Sequence, residues 1–415
     1  MWKYSCKTHL KILGVSFIIG ILMMLLTFSS SEALYREVFT SEIVDFMYQN
    51  IYFTYLMGGV SIASLANSVI LIQMLMRRFQ FGIFLILAIL LFEPTIIVEA
   101  GMIGLIPSII AFIYGAVSLN QSLKKEMMEN HISKEDNIIE LYRSKHTLQE
   151  EYRAMAEQIR ANNDKLNAIY ALGILALVCM MLFISNFLIL VIAFFFYTYA
   201  FTYLNRYKAT NLIPIRALLY EKCDPEACAS AVIYYSNKHG RYRCKDHALL
   251  AQCLLYMDDP DCANKVLITF PRSNQANVLT YYSLKSYAYY LLKDDAKLNE
   301  CKEQAGKIRL AIAPAGVQIQ SMEMLAIQNK INLINGDFNT CKKYYLTAYQ
   351  NAKFPFQQVD AAYYIAMISF VQEDYVVAKT YFEKVVQHGN KMSFVEKAEK
   401  YLNKINAMDE KEESE

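Results

Sequence analysis

The feature that most constrains this chain is a run of 37 residues, 168–204, that contains no Asp, Glu, Lys, Arg or His. A single helix of that length would extend roughly 55 Å, whereas the hydrocarbon layer of a bilayer is roughly 30 Å thick. Ser185-Asn186 interrupts the run at its middle. The run therefore predicts two transmembrane helices joined by a tight turn, with membrane and juxtamembrane sequence before it and a soluble helical domain after it.

Four further spans are predicted in the first 118 residues. An N-terminus with three lysines leads into the apolar run 12–28, and a second apolar run, 51–76, ends on a pair of arginines. The stretch 79–119 is long enough for two more spans. Ser31-x-Ala33 also fits a signal-peptide cleavage site, so the first segment is either a span or a cleaved signal peptide, and the remaining topology is the same in both cases.

Basic residues are distributed unevenly among the predicted connections. The N-terminus, the turn after the second span and the segment 120–167 hold three, two and eight Lys or Arg, and Arg206 and Lys208 follow the last span. The connections on the opposite side hold only Arg36. Because short segments rich in Lys and Arg stay in the cytoplasm, we expect six spans in a cell membrane, with both termini cytoplasmic.

The charged segment 119–167 between the fourth and fifth spans carries a heptad pattern. The two core positions hold Ile138, Lys145, Tyr152, Ile159, Leu166 and Leu141, Leu148, Met155, Asn162. This spacing is typical of a coiled-coil seam with polar interruptions. It predicts a cytoplasmic helical hairpin whose second arm continues into the fifth span. The seam 138–166 either packs as a stalk on the chain's own soluble domain or joins two copies in a homodimer.

Beyond Lys208, turn signals recur at intervals of about 34 to 40 residues, which is typical of a repeat architecture. The turns are Asp224-Pro225, Asp259-Pro260, Asp294-Asp295, Gly336-Asp337-Phe338 and Glu373-Asp374-Tyr375. After the last two turns, small and aromatic residues follow at helical spacing, namely Cys341, Tyr345, Ala348 and Ala378, Phe382, Val385. Each unit is therefore predicted to be a pair of helices.

In these features the region 211–401 resembles the tetratricopeptide repeat family, although it lacks the usual Trp and Leu-Gly pair of the first helices. A generic α-solenoid is the structural alternative. The resemblance implies stacked helix pairs with a concave face lined by first-helix side chains. On that face it places the candidate partner-binding residues Ser286, Tyr290, Glu323, Lys330, Tyr363 and Met367.

The expected fold is all-α, with about six membrane spans and a helical repeat array. The predicted domains are 1–118 with four spans, 119–167 as the helical hairpin, 168–204 as the transmembrane hairpin, 208–405 as the repeat array and 406–415 as a disordered acidic tail.

Cysteines and histidines are concentrated between residues 223 and 262, where Cys223, Cys228, Cys244 and His247 are the candidate zinc ligands. The short paired spacing of zinc sites is missing, and Cys262, Cys301 and Cys341 share the slot of Ala378. We therefore interpret these cysteines as small core residues and expect no metal or cofactor. An odd count of nine cysteines suits a reducing compartment.

No phosphate-binding loop or catalytic motif is present in the sequence, so we expect a protein without enzymatic activity. A net charge of +2 without a basic face argues against nucleic acid as the partner. The leading hypothesis is a membrane scaffold that presents the array to a protein or peptide in the cytoplasm. The alternative is a transporter or sensor with a ligand or ion site near Glu93, an acid beside Pro94 in the third span. A membrane enzyme ranks last, and the abundance of Lys, Ile, Asn and Tyr indicates a bacterial source.

Overall fold

The computed structural model of the protein describes residues 2–28, 35–36, 40–78, 94–132, 136–183, 187–308, 310 and 314–412. The chain forms two compact units. The first contains Met1–Ser122 and Ala171–Ala200, and the second contains Leu123–Tyr170 and Phe201–Glu415.

The expected all-α class is confirmed, since the described residues form eighteen α-helices and one short pair of strands. The first seven helices are α1 Trp2–Phe28, α2 Ser41–Gln49, α3 Ile51–Arg78, α4 Pro94–Glu129, α5 Asp136–Lys145, α6 Arg153–Phe183 and α7 Phe187–Asn211. The next elements are α8 Ile213–Tyr220, α9 Pro225–Ser236, β1 Asn237–Lys238, β2 Arg241–Tyr242, α10 His247–Tyr256, α11 Pro260–Ile268 and α12 Gln275–Leu291. The last six helices are α13 Asp295–Gly306, α14 Pro314–Ile334, α15 Phe338–Gln350, α16 Pro355–Val371, α17 Tyr375–His388 and α18 Ser393–Glu412.

Three helical stretches among the described residues are long and apolar enough to cross a membrane, namely Trp2–Leu26, Ile51–Ile72 and Gly101–Glu129. They match the first, second and fourth predicted spans and are compatible with membrane localisation. The predicted third span falls mainly on residues 79–93, which lie outside the described residues. A count of six spans and the orientation of the termini stay predictions.

In the first unit, the backbones of α1 and α3 approach each other closely. A Cβ atom on Gly20 would overlap the carbonyl oxygen of Gly58, and one on Gly58 would lie 2.8 Å from the Cβ of Met24. Small residues at such crossings allow the tight packing that replaces the hydrophobic effect between helices in lipid. At the other end of α1, the Nζ of Lys3 donates a hydrogen bond to the Oγ of Ser118 at 2.8 Å.

In the second unit, one turn geometry recurs between consecutive helices. Each turn has a residue with positive φ, followed by an Asp whose side chain accepts a hydrogen bond from the backbone amide three residues later. The pairs are Cys223-Asp224, Asp258-Asp259, Lys293-Asp294, Gly336-Asp337 and Glu373-Asp374. The amide of each Asp also donates to a carbonyl of the preceding helix, so the same residues end one helix and cap the next.

The helices α8 to α17 are arranged in five such pairs, each packed on its neighbour, with α18 packed on α17 and α16. We call this series the helical array. Its first and last parts also touch. The side-chain amide of Asn390 donates to the carbonyl oxygen of Lys222 at 2.8 Å, and the Nζ of Lys397 lies 2.8 Å from Asp258. The rings of Tyr220 on α8 and Phe356 on α16 stack with 4.8 Å between their centres. The array thus closes on itself.

The segment 136–170, which we call the connector, packs against the first helix pairs of the array. Seam residues of the heptad pattern contact the main core, namely Leu141, Leu148, Tyr152, Met155 and Ile159, and Tyr142 is buried with them. Within one chain this matches the stalk alternative. Pairing of two copies through 138–166 stays a prediction.

Two local expectations for the connector and the C-terminus differ from the structure. The second arm is not one helix, because α5 ends at Lys145 and α6 begins at Arg153. The side chain of His146 and the amide of Gln149 instead bond to Asp259 and Ser230 of the array. At the C-terminus, α18 continues to Glu412, beyond the expected end at 405, since Ala407, Met408 and the following Glu and Lys residues favour helix.

Candidate functional site

The inner side of the closed array contains a charged cluster centred on Asp360. Asp360 lies on α16, and the hydroxyl groups of Tyr256 at the end of α10 and Tyr287 on α12 stabilise its charged form. The Nζ of Lys330 on α14 lies 4.6 Å from the centre of the Tyr287 ring. Four different helices therefore bring one acid, one amine and two phenols together.

Burial dominates the electrostatics of this cluster. It raises the pKa of Asp360 to about 6, against the opposing effects of the Lys330 charge and the two tyrosine hydroxyls. Burial also lowers the pKa of Lys330, while the carboxylates of Asp360 and Glu323 act in the opposite direction. Asp360 and Lys330 are both partly desolvated, so a charged partner group would interact with them more strongly than at an open surface.

A layer of aromatic rings surrounds the cluster. The Tyr364 ring stacks on Tyr345 with 4.6 Å between centres, and its hydroxyl lies 3.5 Å from that of Tyr287. Tyr290 packs beside Tyr364 at 6.2 Å. Buried phenols keep their hydroxyl groups in such networks because an unpaired one is costly. The inner side of the array is therefore filled with side chains rather than left as an open groove.

The six residues expected on the concave face occupy different environments. Ser286 is buried and donates to the carbonyl oxygen of Ser283. Tyr363 is also buried and stacks on Phe394. Tyr290 and Met367 are half-buried against the core.

The other two expected residues lie nearer the charged cluster. Glu323 is half-buried and accepts a hydrogen bond from Ser283 at 2.5 Å, and the charge of Lys330 stabilises the carboxylate of Asp360. Partner binding by the six residues stays a prediction, as does an ion site at Glu93, which lies outside the described residues.

Sequence reasoning missed Asp360, the residue around which the cluster is built. The sequence did contain a signal for it, since Asp360 is the one charged residue among the seventeen residues of α16. An isolated acid in an apolar helix must find partners or lose its charge, but the partners come from α10, α12 and α14, far away in the sequence. Only the fold shows them.

An exposed apolar stripe runs along the first half of α14. Ile319, Met322 and Leu325 are 53%, 62% and 57% exposed and recur every three residues, which places them on one face of the helix. The opposite face of α14 packs through Ile327 and Ile331 into a smaller core with α12 and α13. Contiguous exposed apolar side chains on a folded domain are typical of a protein-binding surface.

The candidate zinc ligands are used for packing. The Sγ of Cys228 donates to the carbonyl oxygen of Ile215 at 3.3 Å, and the His247 ring bonds to the hydroxyl of Thr269 at 3.0 Å. Burial lowers the pKa of His247 to about 4 and raises that of Cys223 to about 11. Within the described ranges no three His, Cys, Asp or Glu side chains converge as metal ligands would.

Comparison with known proteins adds no relative to this picture. No protein-family model matches the chain, and neither a curated protein nor a solved structure is significantly similar to it.

Proposed function

We propose that this protein is an integral membrane adaptor whose tetratricopeptide-like array binds a protein partner at the cytoplasmic face. The observation that carries the proposal is the exposed stripe of Ile319, Met322 and Leu325 on α14, the longest helix of the array. The cost of keeping such side chains in water favours a partner that covers them. The exposed polar side chains of Gln318 and Ser321 lie beside the stripe, as polar groups do at the rim of an interface.

The recurring turn supports the tetratricopeptide-like interpretation. The capping residues Asp224, Asp259, Asp294, Asp337 and Asp374 follow each other at 35, 35, 43 and 37 residues. A repeat of helix, turn, helix with this period is the unit of such arrays. In this closed array the available surface is the exposed stripe on α14 rather than an open inner groove.

The proposed sidedness rests on charge and on contacts within each unit. Lys3, at the start of α1, bonds to Ser118 near the end of α4, so these two ends lie on the same side of the first unit. In the second unit, Lys208 at the end of α7 bonds to Asn167 of α6. Lys3 and Lys208 belong to the Lys- and Arg-rich connections, Asn167 ends the connection 120–167 and Ser118 lies just before it, which favours a cytoplasmic location for the array.

The test is recovery of the partner with the full chain extracted from crosslinked membranes. Met322→Glu combined with Leu325→Glu places two charges in the stripe, and we expect the amount of co-purified partner to fall at least tenfold. Val376→Glu is the control, since Val376 is 80% exposed on α17 and lies outside the stripe. Equal recovery with both variants would overturn the proposal.

A second arm of the test concerns the anchor. If the spans serve to hold the array at the membrane, replacing residues 1–122 by a foreign anchor of the same orientation should preserve partner recovery. Loss of recovery with a folded array would instead assign the membrane unit a part in the function, as the transporter or sensor alternative predicts.

A further inference from the structure

An open cleft lies between α6 and the turn that joins β1 to β2. It is lined by Arg160, Ala161, Asp164, Lys165, Ala168, Lys238 and His239. Three of these side chains are positively charged and one is negative, so the cleft carries an excess of positive charge. The cleft belongs entirely to the second unit.

The strand pair β1–β2 holds Lys238 and His239 at the edge of the cleft. His239 and Gly240 both have positive φ, 53° and 75°, as the favoured two-residue hairpin turns require. Tyr242 is buried and anchors the second strand, whereas Lys238 and His239 are exposed. The Nζ of Lys238 lies 2.7 Å from the carboxylate of Asp164, and this ion pair holds the turn against α6.

Cations outnumber acids around Asp164. The hydrogen bond from Lys238, followed by the charges of Lys245, Lys238 and Arg160, lowers the pKa of Asp164 despite its partial burial. Burial lowers the pKa of Lys245, the carboxylate of Asp164 opposes this effect, and the charges of Arg160 and Lys238 lower the pKa further. One carboxylate thus faces Arg160, Lys238 and Lys245 while Lys165 completes the cleft, and an added anion would relieve the repulsion among them.

The position of the cleft along α6 is fixed by the pattern of that helix. Lys165 is its last charged residue, and the apolar run begins at Ala168. The contacts of α6 with the neighbouring helix α7 change from polar to apolar at the same level. Polar contacts join Asn163 to Asn211 and Asn167 to Lys208, and the next contact is aromatic, with 4.6 Å between the ring centres of Tyr170 and Phe201.

With α6 inserted in the membrane, these distances place Asp164 and Lys165 at the depth of lipid headgroups and Arg160 on the aqueous side of that layer. The helix rises about 6 Å from Asp164 to Ala168 and about 12 Å from Arg160, and each headgroup layer is roughly 5 to 7 Å thick. Clustered Lys and Arg at this depth attract anionic lipids by about 1 kcal/mol each.

We propose that this cleft binds the phosphate of an anionic phospholipid in the cytoplasmic leaflet. The inference rests on the proposed membrane insertion of α6 and α7. Arg160, Lys165 and Lys238 supply the charge, and the turn at His239 closes the cleft on the side away from α6. Lipid bound there would hold the first helix pair of the array at the membrane surface.

The test measures lipid binding to the full chain in neutral detergent by native mass spectrometry. Phosphatidylglycerol is compared with phosphatidylcholine of the same acyl chains. The combined change Lys165→Gln and Lys238→Gln should weaken phosphatidylglycerol binding about thirtyfold, or about fivefold for each charge. The matched control, Lys343→Gln with Lys353→Gln, removes two exposed lysines that do not line the cleft and should leave binding unchanged. Unchanged binding in the cleft variant, or equal affinity of the wild type for the two lipids, would overturn the proposal.

A further variant separates binding from folding. Asp164→Asn removes the one carboxylate of the cleft and should strengthen phosphatidylglycerol binding several-fold, which a damaged fold would not do. Weaker binding in this variant would contradict the proposal.

Inorganic phosphate distinguishes the source of the ligand. We expect that phosphate at the same concentration as the lipid does not displace phosphatidylglycerol, because the acyl chains contribute to binding. Full displacement would assign the cleft to a soluble phosphate compound and overturn the lipid proposal.

Failure of this inference and failure of the proposed function have different signatures. A chain that alkaline carbonate releases from membranes has no inserted anchor, which contradicts the adaptor itself. A chain that stays in the membrane fraction but shows no preference for phosphatidylglycerol contradicts only the lipid site.

Discussion

Backbone conformation at single residues decides where the helices of the array end. Four of the five recurring turns have a residue other than glycine at positive φ. The remaining turn has Gly336 at this position, with a φ of 77°. A Cβ atom is unfavourable in the left-handed region by about 1 to 2 kcal/mol. We therefore expect Gly336→Ala to destabilise the array by about 1 kcal/mol.

Gly306 is the matched control for Gly336. It lies in the last turn of α13, its φ is not positive, and its nearest contact for an added Cβ is the Cε of Met324 at 3.7 Å. Gly306→Ala should be neutral or slightly stabilising, because alanine favours helix. Thermal unfolding of the full chain in neutral detergent measures both. A Gly336→Ala variant as stable as the wild type would show that the turn adopts another conformation.

Asp259 links the connector to the array and predicts a response to pH. Burial raises its pKa, but hydrogen bonds from His146, Lys145 and the amide of Cys262 more than offset this effect, and the pKa falls to about 2. Because the folded value lies below the ordinary 3.8, Asp259 stabilises the protein above pH 4 and loses this effect as the pH falls toward 2. Asp259→Asn should therefore cost about 2 kcal/mol at pH 7 and little at pH 2.

Asp360 is expected to behave in the opposite way. Its folded pKa of about 6 lies above the ordinary value, so its contribution to stability is greatest at low pH and is lost as the pH rises through 6. The difference in unfolding temperature between the wild type and Asp360→Asn should decrease from pH 4 to pH 7. The corresponding difference for Asp259→Asn should not decrease over that range. Parallel curves for the two variants would contradict these assignments.

At the scale of elements, the membrane helices depend on close backbone contact. Gly20→Ala would push α1 away from the Gly58 carbonyl on α3, and we expect a loss of about 1 to 3 kcal/mol, as for other overpacked sites. Gly14 lies on the same helix with no atom within 4 Å of an added Cβ, so Gly14→Ala should have little effect. Unfolding of the full chain in detergent compares the two, and equal stability would exclude the close crossing.

The elements of the array could be predicted because their signals are local. In the Asp-Pro, Gly-Asp and Glu-Asp turns, the Asp itself caps the helix that follows. The structure places the starts of these helices at Pro225, Pro260, Phe338 and Tyr375. The break in the connector could not be predicted in the same way. Its heptad pattern favours one helix, and the contacts of His146 and Gln149 with the array outweigh that local preference.

At the scale of the whole molecule, the contacts that close the array were not visible in the sequence. They join Lys222 to Asn390, Asp258 to Lys397 and Tyr220 to Phe356, and no periodicity marks a pairing across so long a separation. For the same reason Asp360 was not connected with Tyr256, Tyr287 and Lys330. Sequence patterns indicate which faces are apolar, whereas only the packing of all five pairs determines which residues meet inside.

The exposed stripe could also not be predicted from the local sequence pattern, because only the packing of the whole array determines which apolar side chains stay exposed. An open array would bind a partner through its inner face, but here aromatic rings fill that face, and Ile319, Met322 and Leu325 stay exposed on α14. We therefore expect the partner to bind this stripe while the apolar helices hold the protein in the membrane.

Site-specific crosslinking in living cells tests this claim most directly. A photo-crosslinking amino acid replaces Met322 in one full-length chain and Val376 in another, and adducts in the membrane fraction are identified by mass spectrometry. We expect a protein adduct from position 322 and none from position 376. The absence of any protein adduct at 322, or the same adducts from both positions, would contradict it.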